Sequence, residues 1–122
     1  MTVIQGSSIG EAADATGLTE DALRYYEREG LVGPIARDAF GHRRYTEQDL
    51  AWIGIVTCLR DAGLGIADLR RFTTLLHADG EPTERATFLL RRRAELVRQR
   101  ESLDAAITVL DGKIAYYGAD GA

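Results

Sequence analysis

A seven-residue repeat in the last third of the chain restricts its fold more than any other pattern. Mostly apolar residues recur at intervals of seven, and a companion series lies three residues before each of them. The first series is Leu89, Leu96, Leu103, Leu110 and Tyr117, and the second is Ala86, Arg93, Arg100, Ile107 and Ile114. This heptad pattern predicts a single helix from Pro82 to Tyr117, about 36 residues and on the order of 54 Å long.

A helix of that length cannot bury its own apolar stripe. Two arrangements are open, because the helix can fold back over the rest of the chain or pair with a second copy. Arg93 and Arg100 lie at seam positions, where a charged group is costly unless its stem packs and its head reaches acids or solvent. This cost disfavours a parallel zipper, and we predict a homodimer with an antiparallel coiled coil. Its predicted dimerisation residues are Leu89, Leu96, Leu103, Ile107, Leu110, Ile114 and Tyr117.

The first 80 residues carry many helix signals and almost no strand signals. Ser8 with Glu11 fits a capping box, while Thr19 and Thr46 are each followed by acidic residues that the helix dipole favours. The predicted helices run from Ile9 to Thr16, Thr19 to Gly30, Thr46 to Gly63 and Ile66 to near Gly80. Between the second and third, Ile35 to Tyr45 reads as a small hairpin around Gly41.

The segment from Ile9 to Tyr26 has the pattern of a helix-turn-helix. Ala13 is small where two helices cross, Gly17 lies at the turn four residues later, and Leu23 supplies a core contact. Such a pattern also fits an ordinary helical hairpin. The second helix and the hairpin, however, both carry hydrogen-bond donors, as a helix in the major groove and a wing on the phosphates would. Of the two adjacent tyrosines, we expect Tyr25 to contact DNA and Tyr26 to pack.

Composition argues against several classes of protein and raises one objection to DNA binding. The net charge is −4, and residues 1–50 hold five Arg against nine acidic residues. A DNA-binding domain normally has a basic footprint, so DNA binding requires that the few arginines gather on one surface. The longest apolar run is too short to span a membrane, and the chain lacks a secretory signal, so we expect a cytoplasmic protein. With one Cys and two scattered His, we expect no metal site, no cofactor and no enzyme activity.

The combination of motifs resembles the MerR family of bacterial transcription regulators. The resemblance lies in IGEAADATGLTEDALRYYEREGLVGP, GHRRYTEQDL, LRDAGLGIADL and the long last helix. It implies a mainly α fold. An N-terminal winged helix-turn-helix domain (1–80), which includes a two-helix segment, is followed by an antiparallel coiled-coil dimerisation helix (81–118) and a short tail (119–122). The implied partners are promoter DNA with a long spacer, which the dimer distorts, and RNA polymerase holoenzyme.

The donors of the second helix and the hairpin, together with the resemblance, give the predicted DNA-binding residues. The recognition-helix motif RYYE falls on Arg24 to Glu27, and the wing motif falls on Gly41 to Tyr45, where His42 departs from the usual aromatic residue. The predicted DNA-binding residues are Thr19, Arg24, Tyr25, Arg37, His42, Arg43, Arg44 and Tyr45.

The lone Cys58 is the candidate effector site. Its segment, DLAWIGIVTCLRDAGLGIADL, resembles the short aldehyde-responsive branch of the family, which implies that a small reactive aldehyde adds to this thiol. Cys58 shares a helical face with Ile55 and Ala62, so it can equally be an inert packing residue in an effector-independent DNA binder. A coiled-coil interaction protein without DNA binding is a further alternative, although it leaves Arg24, Arg43 and Arg44 without a role.

Overall fold

A computed structural model of the chain describes residues 6–77 and 82–118. These residues form five helices: α1 (Ile9–Thr16), α2 (Glu20–Arg28), α3 (Glu47–Asp61), α4 (Ile66–His77) and α5 (Pro82–Tyr117). The chain divides into two compact units, Met1–Asp79 and Gly80–Ala122. The mainly helical class is confirmed, whereas the tail 119–122 and the predicted helix end near Gly80 lie outside the described residues.

The helix-turn-helix consists of α1 and α2, which begin and end where the sequence signals place them. Ser8 and Glu11 form the predicted capping box, and the Thr19 hydroxyl accepts the backbone N–H of Ala22. Gly17 ends α1 with φ +76°, a left-handed conformation that favours glycine at the turn between the helices. The turn therefore fixes the direction in which α2 leaves α1.

The predicted hairpin is a wing, residues 35–45, held by two isolated antiparallel bridges. One bridge pairs Arg37 with Arg43, and the other pairs Tyr45 with Ser7 just before α1. Two hydrogen bonds between Ser7 and Tyr45, each 2.8 Å, tie the base of the wing to the start of α1. These backbone hydrogen bonds thus fix the position of the wing relative to α1.

One apolar core supports α1, α2, the wing and α3, with α4 packed on α3. Its buried members are Ala12, Leu23, Tyr26, Leu31, Val32, Ile35, Tyr45, Ile53, Val56 and Leu69. The Leu31 carbonyl, which follows α2, accepts the Trp52 indole N–H at 3.0 Å and the Thr73 hydroxyl at 2.8 Å. The segment between α2 and the wing is therefore held from both α3 and α4.

The second unit contains α5, whose bounds match the prediction made from the heptad repeat. The predicted dimerisation residues form an apolar stripe along this helix, and most of them are exposed in the single chain. Leu103, Ile107, Leu110 and Ile114 are 54–63% exposed. A helix with this much exposed apolar surface is typical of a protein that pairs with another chain.

Candidate nucleic-acid interface

The first unit has a surface groove of about 420 Å³ between the start of α1, the side of α2 and the wing. Its lining residues, which we call the wing groove, are Ser8, Ile9, Gly10, Arg24, Arg37, Gly41, His42, Arg43 and Arg44. Four arginines therefore converge on one surface of an acidic chain. The first residues of α1 also line the groove, where the helix dipole favours anions. This arrangement meets the condition that DNA binding sets for an acidic chain, namely that its few arginines gather on one surface.

Arg24 is the side chain that α2 contributes to the wing groove. Its guanidinium donates to Asp21 at 3.0 Å and to Glu20 at 3.4 Å, one turn earlier on the same helix. The Arg24 side chain remains 42% exposed, so both ion pairs are screened by solvent and cost little to break. A phosphate or a base edge can therefore replace the two carboxylates.

A single carboxylate organises the tip of the wing. Asp38 Oδ1 accepts the backbone N–H groups of Phe40 and His42, at 2.9 and 3.0 Å, and Asp38 Oδ2 accepts from Arg44 Nε at 3.2 Å. These hydrogen bonds, the one from the His42 backbone above all, hold the pKa of Asp38 below its ordinary value. Gly41 closes the turn with φ +80°, and its carbonyl accepts from Arg37 at 2.9 Å. The wing tip is thus a rigid turn with arginines at its base.

A second carboxylate, Glu27, joins α2 to the wing. Arg43 Nε donates to Glu27 Oε1 at 2.7 Å, and the Ile35 N–H donates to Glu27 Oε2 at 2.9 Å. Burial raises the pKa of Glu27, but the hydrogen bonds from Arg43 and Ile35 outweigh it and leave the pKa below its ordinary value. Arg43 therefore lines the groove and also links α2 to the wing.

The structure does not bring all eight predicted DNA-binding residues together. Arg24, Arg37, His42, Arg43 and Arg44 line the wing groove. Thr19 caps α2, and Tyr25 is half-buried against the core with the Arg28 guanidinium 5.6 Å from its ring centre; neither lines the groove.

The two remaining tyrosines of these motifs lie in the core. Tyr26 is 1% exposed, as predicted, and its hydroxyl lies 3.3 Å from that of Thr57 on α3. Tyr45 is also 1% exposed, which corrects its prediction as a DNA contact. The reason is its pairing with Ser7, which turns the side chain inward beneath the wing.

Sequence reasoning missed the roles of Glu27 and Asp38. The stretch from Asp38 to Gly41 does carry a local signal, because Asp at the first and Gly at the fourth position are typical of a type I turn. Glu27 carries no such signal, since its partner Arg43 is 16 residues away. Only the folded chain brings these two side chains together.

Cys58 lies on the exposed face of α3. Ile55, one turn earlier, is 45% exposed, and Ala62 is exposed on the same face. The thiol therefore does not pack in the core of its unit. Its neighbour Arg60 pairs with Asp61 at 3.3 Å and lies 5.6 Å from the ring centre of Tyr26.

Within residues 6–77 and 82–118, no three His, Cys, Asp or Glu side chains gather as a metal site would require. Across the same ranges, no helix combines the length and the apolar character needed to cross a bilayer.

Residues 7–75, which include the wing groove and Cys58, match the MerR HTH family of regulatory proteins. The chain belongs to the MerR family. It is 31% identical over 108 residues to an uncharacterized HTH-type transcriptional regulator of Haemophilus influenzae, an alignment that covers 88% of this chain and 80% of that protein. It is 44% identical over 79 residues to the HTH-type transcriptional regulator AdhR of Bacillus subtilis, covering 65% of this chain and 56% of AdhR.

Solved structures agree with this assignment. A MerR family protein from Listeria monocytogenes superposes with a TM-score of 0.85 at 37% identity, covering 93% of this chain and 87% of that one. HiNmlR, a MerR family regulator lacking the sensor domain and bound to promoter DNA, superposes with a TM-score of 0.78 at 31% identity, covering 90% and 88%. This MerR-family chain is a DNA-binding transcriptional regulator, as predicted, and its relatives are regulators, not enzymes.

Proposed function

We propose that this regulator acts as a homodimer that grips promoter DNA with its two wing grooves and distorts it for RNA polymerase holoenzyme. The observation that carries the proposal is the convergence of Arg24, Arg37 and Arg44 with the N-terminus of α1 on one groove. Arg24 would reach the major groove from α2, while Arg37, His42 and Arg44 hold phosphates beside it. Because promoter DNA is its ligand, the protein acts in the cytoplasm.

The DNA-facing surface is tested by anisotropy with a labelled duplex of the protein's own promoter over a range of salt concentrations. Arg24→Ala and Arg37→Ala weaken binding and lower the log–log salt slope by about 0.9 for each phosphate that is no longer neutralised. Arg98→Ala is the control, because it removes the same charge from an exposed, outward heptad position of α5. Unchanged affinity in both groove variants would refute this surface.

The dimer is proposed to form through the exposed stripe of α5. Antiparallel pairing lets the seam residues Arg93 and Arg100 reach acids or solvent at their ends. Leu110→Asp places a charge in the stripe and should shift sedimentation equilibrium to the monomer. Val109→Asp is the matched control, because Val109 is 64% exposed but lies outside the seam. A Leu110→Asp protein that stays dimeric would contradict this interface.

Promoter distortion is the step that would link DNA binding to transcription by RNA polymerase. The dimer would stabilise bent, untwisted DNA, so that polymerase could use a spacer that is otherwise too long. Run-off transcription should therefore depend on the protein when the spacer is long and lose that dependence when the spacer is shortened to a length that polymerase uses unaided. Equal dependence on both templates would argue for a regulator that does not distort its promoter.

Cys58 is the proposed sensor of a small reactive aldehyde. Its thiolate sulfur adds to the carbonyl carbon, and the oxygen takes a proton from water to give a hemithioacetal, with no change in oxidation state. The thiol is exposed, as this addition requires. Its neighbour Thr57 contacts Tyr26 of α2, so a shift of α3 on adduct formation would reach the recognition helix.

A specific observation favours an effector-independent DNA binder as the alternative. Arg60 is the only basic residue of α3, and it is engaged by Asp61 and by the ring of Tyr26. No cation of that helix is therefore free to stabilise the Cys58 thiolate. Run-off transcription with wild type and Cys58→Ser, each with and without formaldehyde, separates the two functions. Activation that needs both aldehyde and Cys58 supports the sensor, and equal responses support the alternative.

A further inference from the structure

The tip of the wing carries an aromatic side chain that neither the fold nor the proposed phosphate contacts explain. Phe40 is 84% exposed, whereas Ile55 and Ile66, the other exposed large hydrophobic residues described in its unit, are 45% and 38% exposed. Its ring centre is 6.5 Å from that of His42, so it stands beside a side chain of the wing groove.

The backbone that presents Phe40 is rigidly held. Asp38 Oδ1 accepts the Phe40 N–H directly, and the Gly41 N–H donates to the Asp38 carbonyl at 3.0 Å. Arg44 in turn fixes the Asp38 carboxylate at 3.2 Å. An exposed aromatic ring on a fixed turn loses little conformational entropy when it is buried by a partner, which makes such residues effective anchors.

The charges around Phe40 indicate the kind of partner. Arg37 and Arg44 line the same groove as His42, which lies beside the ring, so an anionic surface can be held next to Phe40. Duplex DNA combines phosphates with an apolar interior, and its minor groove is about 6 Å wide, enough for the edge of a phenyl ring. Several DNA-binding proteins insert apolar side chains at this place.

We propose that Phe40 enters the minor groove beside the site occupied by α2 and packs against sugars and base edges there. The inference rests on the proposed DNA-facing role of the wing groove and adds an apolar anchor to it. Arg37 and Arg44 hold the flanking phosphates, while Phe40 contributes affinity that does not depend on salt. At a promoter that must be bent, the same ring would favour sequences whose minor groove opens readily.

The test measures promoter-duplex affinity by anisotropy for wild type, Phe40→Ser and Phe40→Leu at several salt concentrations. Phe40→Ser should weaken binding about tenfold or more, because it removes the partial burial of an aromatic ring from each of two wings. Its salt slope should equal that of wild type, since the variant keeps every cation. Phe40→Leu should retain most of the affinity. Tyr116→Ser is the matched control, because Tyr116 is a 77% exposed aromatic residue on α5.

A hydroxyl-radical footprint locates the site on the DNA, because the radical attacks sugars through the minor groove. Wild type should protect sugars beside each half-site, and Phe40→Ser should lose that protection while keeping the rest of the footprint. If Phe40→Ser binds and protects like wild type while Arg37→Ala binds weakly, the anchor is refuted and the phosphate-binding groove stands. If Arg37→Ala and Arg24→Ala also bind like wild type, the proposed DNA-facing surface itself is refuted.

Discussion

The ion pair between Glu27 and Arg43 should decide whether the wing keeps its position against α2. The two side chains are 18% and 23% exposed, and Glu27 also accepts the Ile35 N–H. Exposed pairs contribute about 0.2–1 kcal/mol, whereas hydrogen bonds to charged groups contribute about 1.5–3 kcal/mol. A partly buried pair at 2.7 Å lies between these limits. We therefore expect a coupling free energy of about 1.5 kcal/mol.

A double-mutant cycle with Glu27→Ala, Arg43→Ala and the double variant measures this coupling by urea unfolding. All four proteins are compared at one protein concentration, because the stability of the proposed dimer would depend on concentration. Glu27→Ala should cost more than Arg43→Ala, since it also leaves the Ile35 N–H without its acceptor. Coupling within about 0.3 kcal/mol of zero would refute the reasoning.

The exposed pair of Glu20 and Arg24 is the matched control. Its side chains are 49% and 42% exposed and 3.4 Å apart, so its coupling should be about 0.3 kcal/mol. The coupling free energy of Glu27 and Arg43 should also depend on pH. Because the pKa of Glu27 is lowered in the folded state, its contribution is fully present above about pH 4.5, the ordinary value, and is lost as the pH falls through the lowered pKa. A Glu27–Arg43 coupling that survived well below that range would mean that the charge plays no part.

Three further predictions concern the support of the site. Tyr45→Phe should raise the free energy of unfolding by about 1 kcal/mol, because the buried hydroxyl has no hydrogen-bond partner within the described residues; a loss of stability in urea would contradict this. Thr73→Val should cost about 1 kcal/mol by the same measurement, because it removes the hydroxyl bonds to the Leu31 and Leu69 carbonyls; an unchanged midpoint would contradict it. Since the pKa of Asp38 is lowered, amide-exchange protection at the wing tip should persist as the pH falls through 3.8 and fail only below it; earlier loss would contradict the turn.

The helical elements and the family could be predicted from the amino-acid sequence alone. Capping residues, Gly17 at the turn and the heptad repeat of α5 act within a few residues of each other, so their consequences could be predicted before folding. The predicted bounds of α1 and α5 agree with the structure. Helical periodicity indicated that one of Tyr25 and Tyr26 packs, because adjacent residues on a helix point about 100° apart, and the choice of Tyr26 is confirmed.

Which side chains meet depends on the folded chain. Glu27 and Arg43 are 16 residues apart, and no local pattern pairs them. Tyr45 belongs to the wing motif, yet its pairing with Ser7 directs the ring into the core. Local propensity is set by neighbours in sequence, whereas burial and ion pairing depend on distances that exist only after folding. Folding can therefore gather four arginines on one groove of a chain whose net charge is −4.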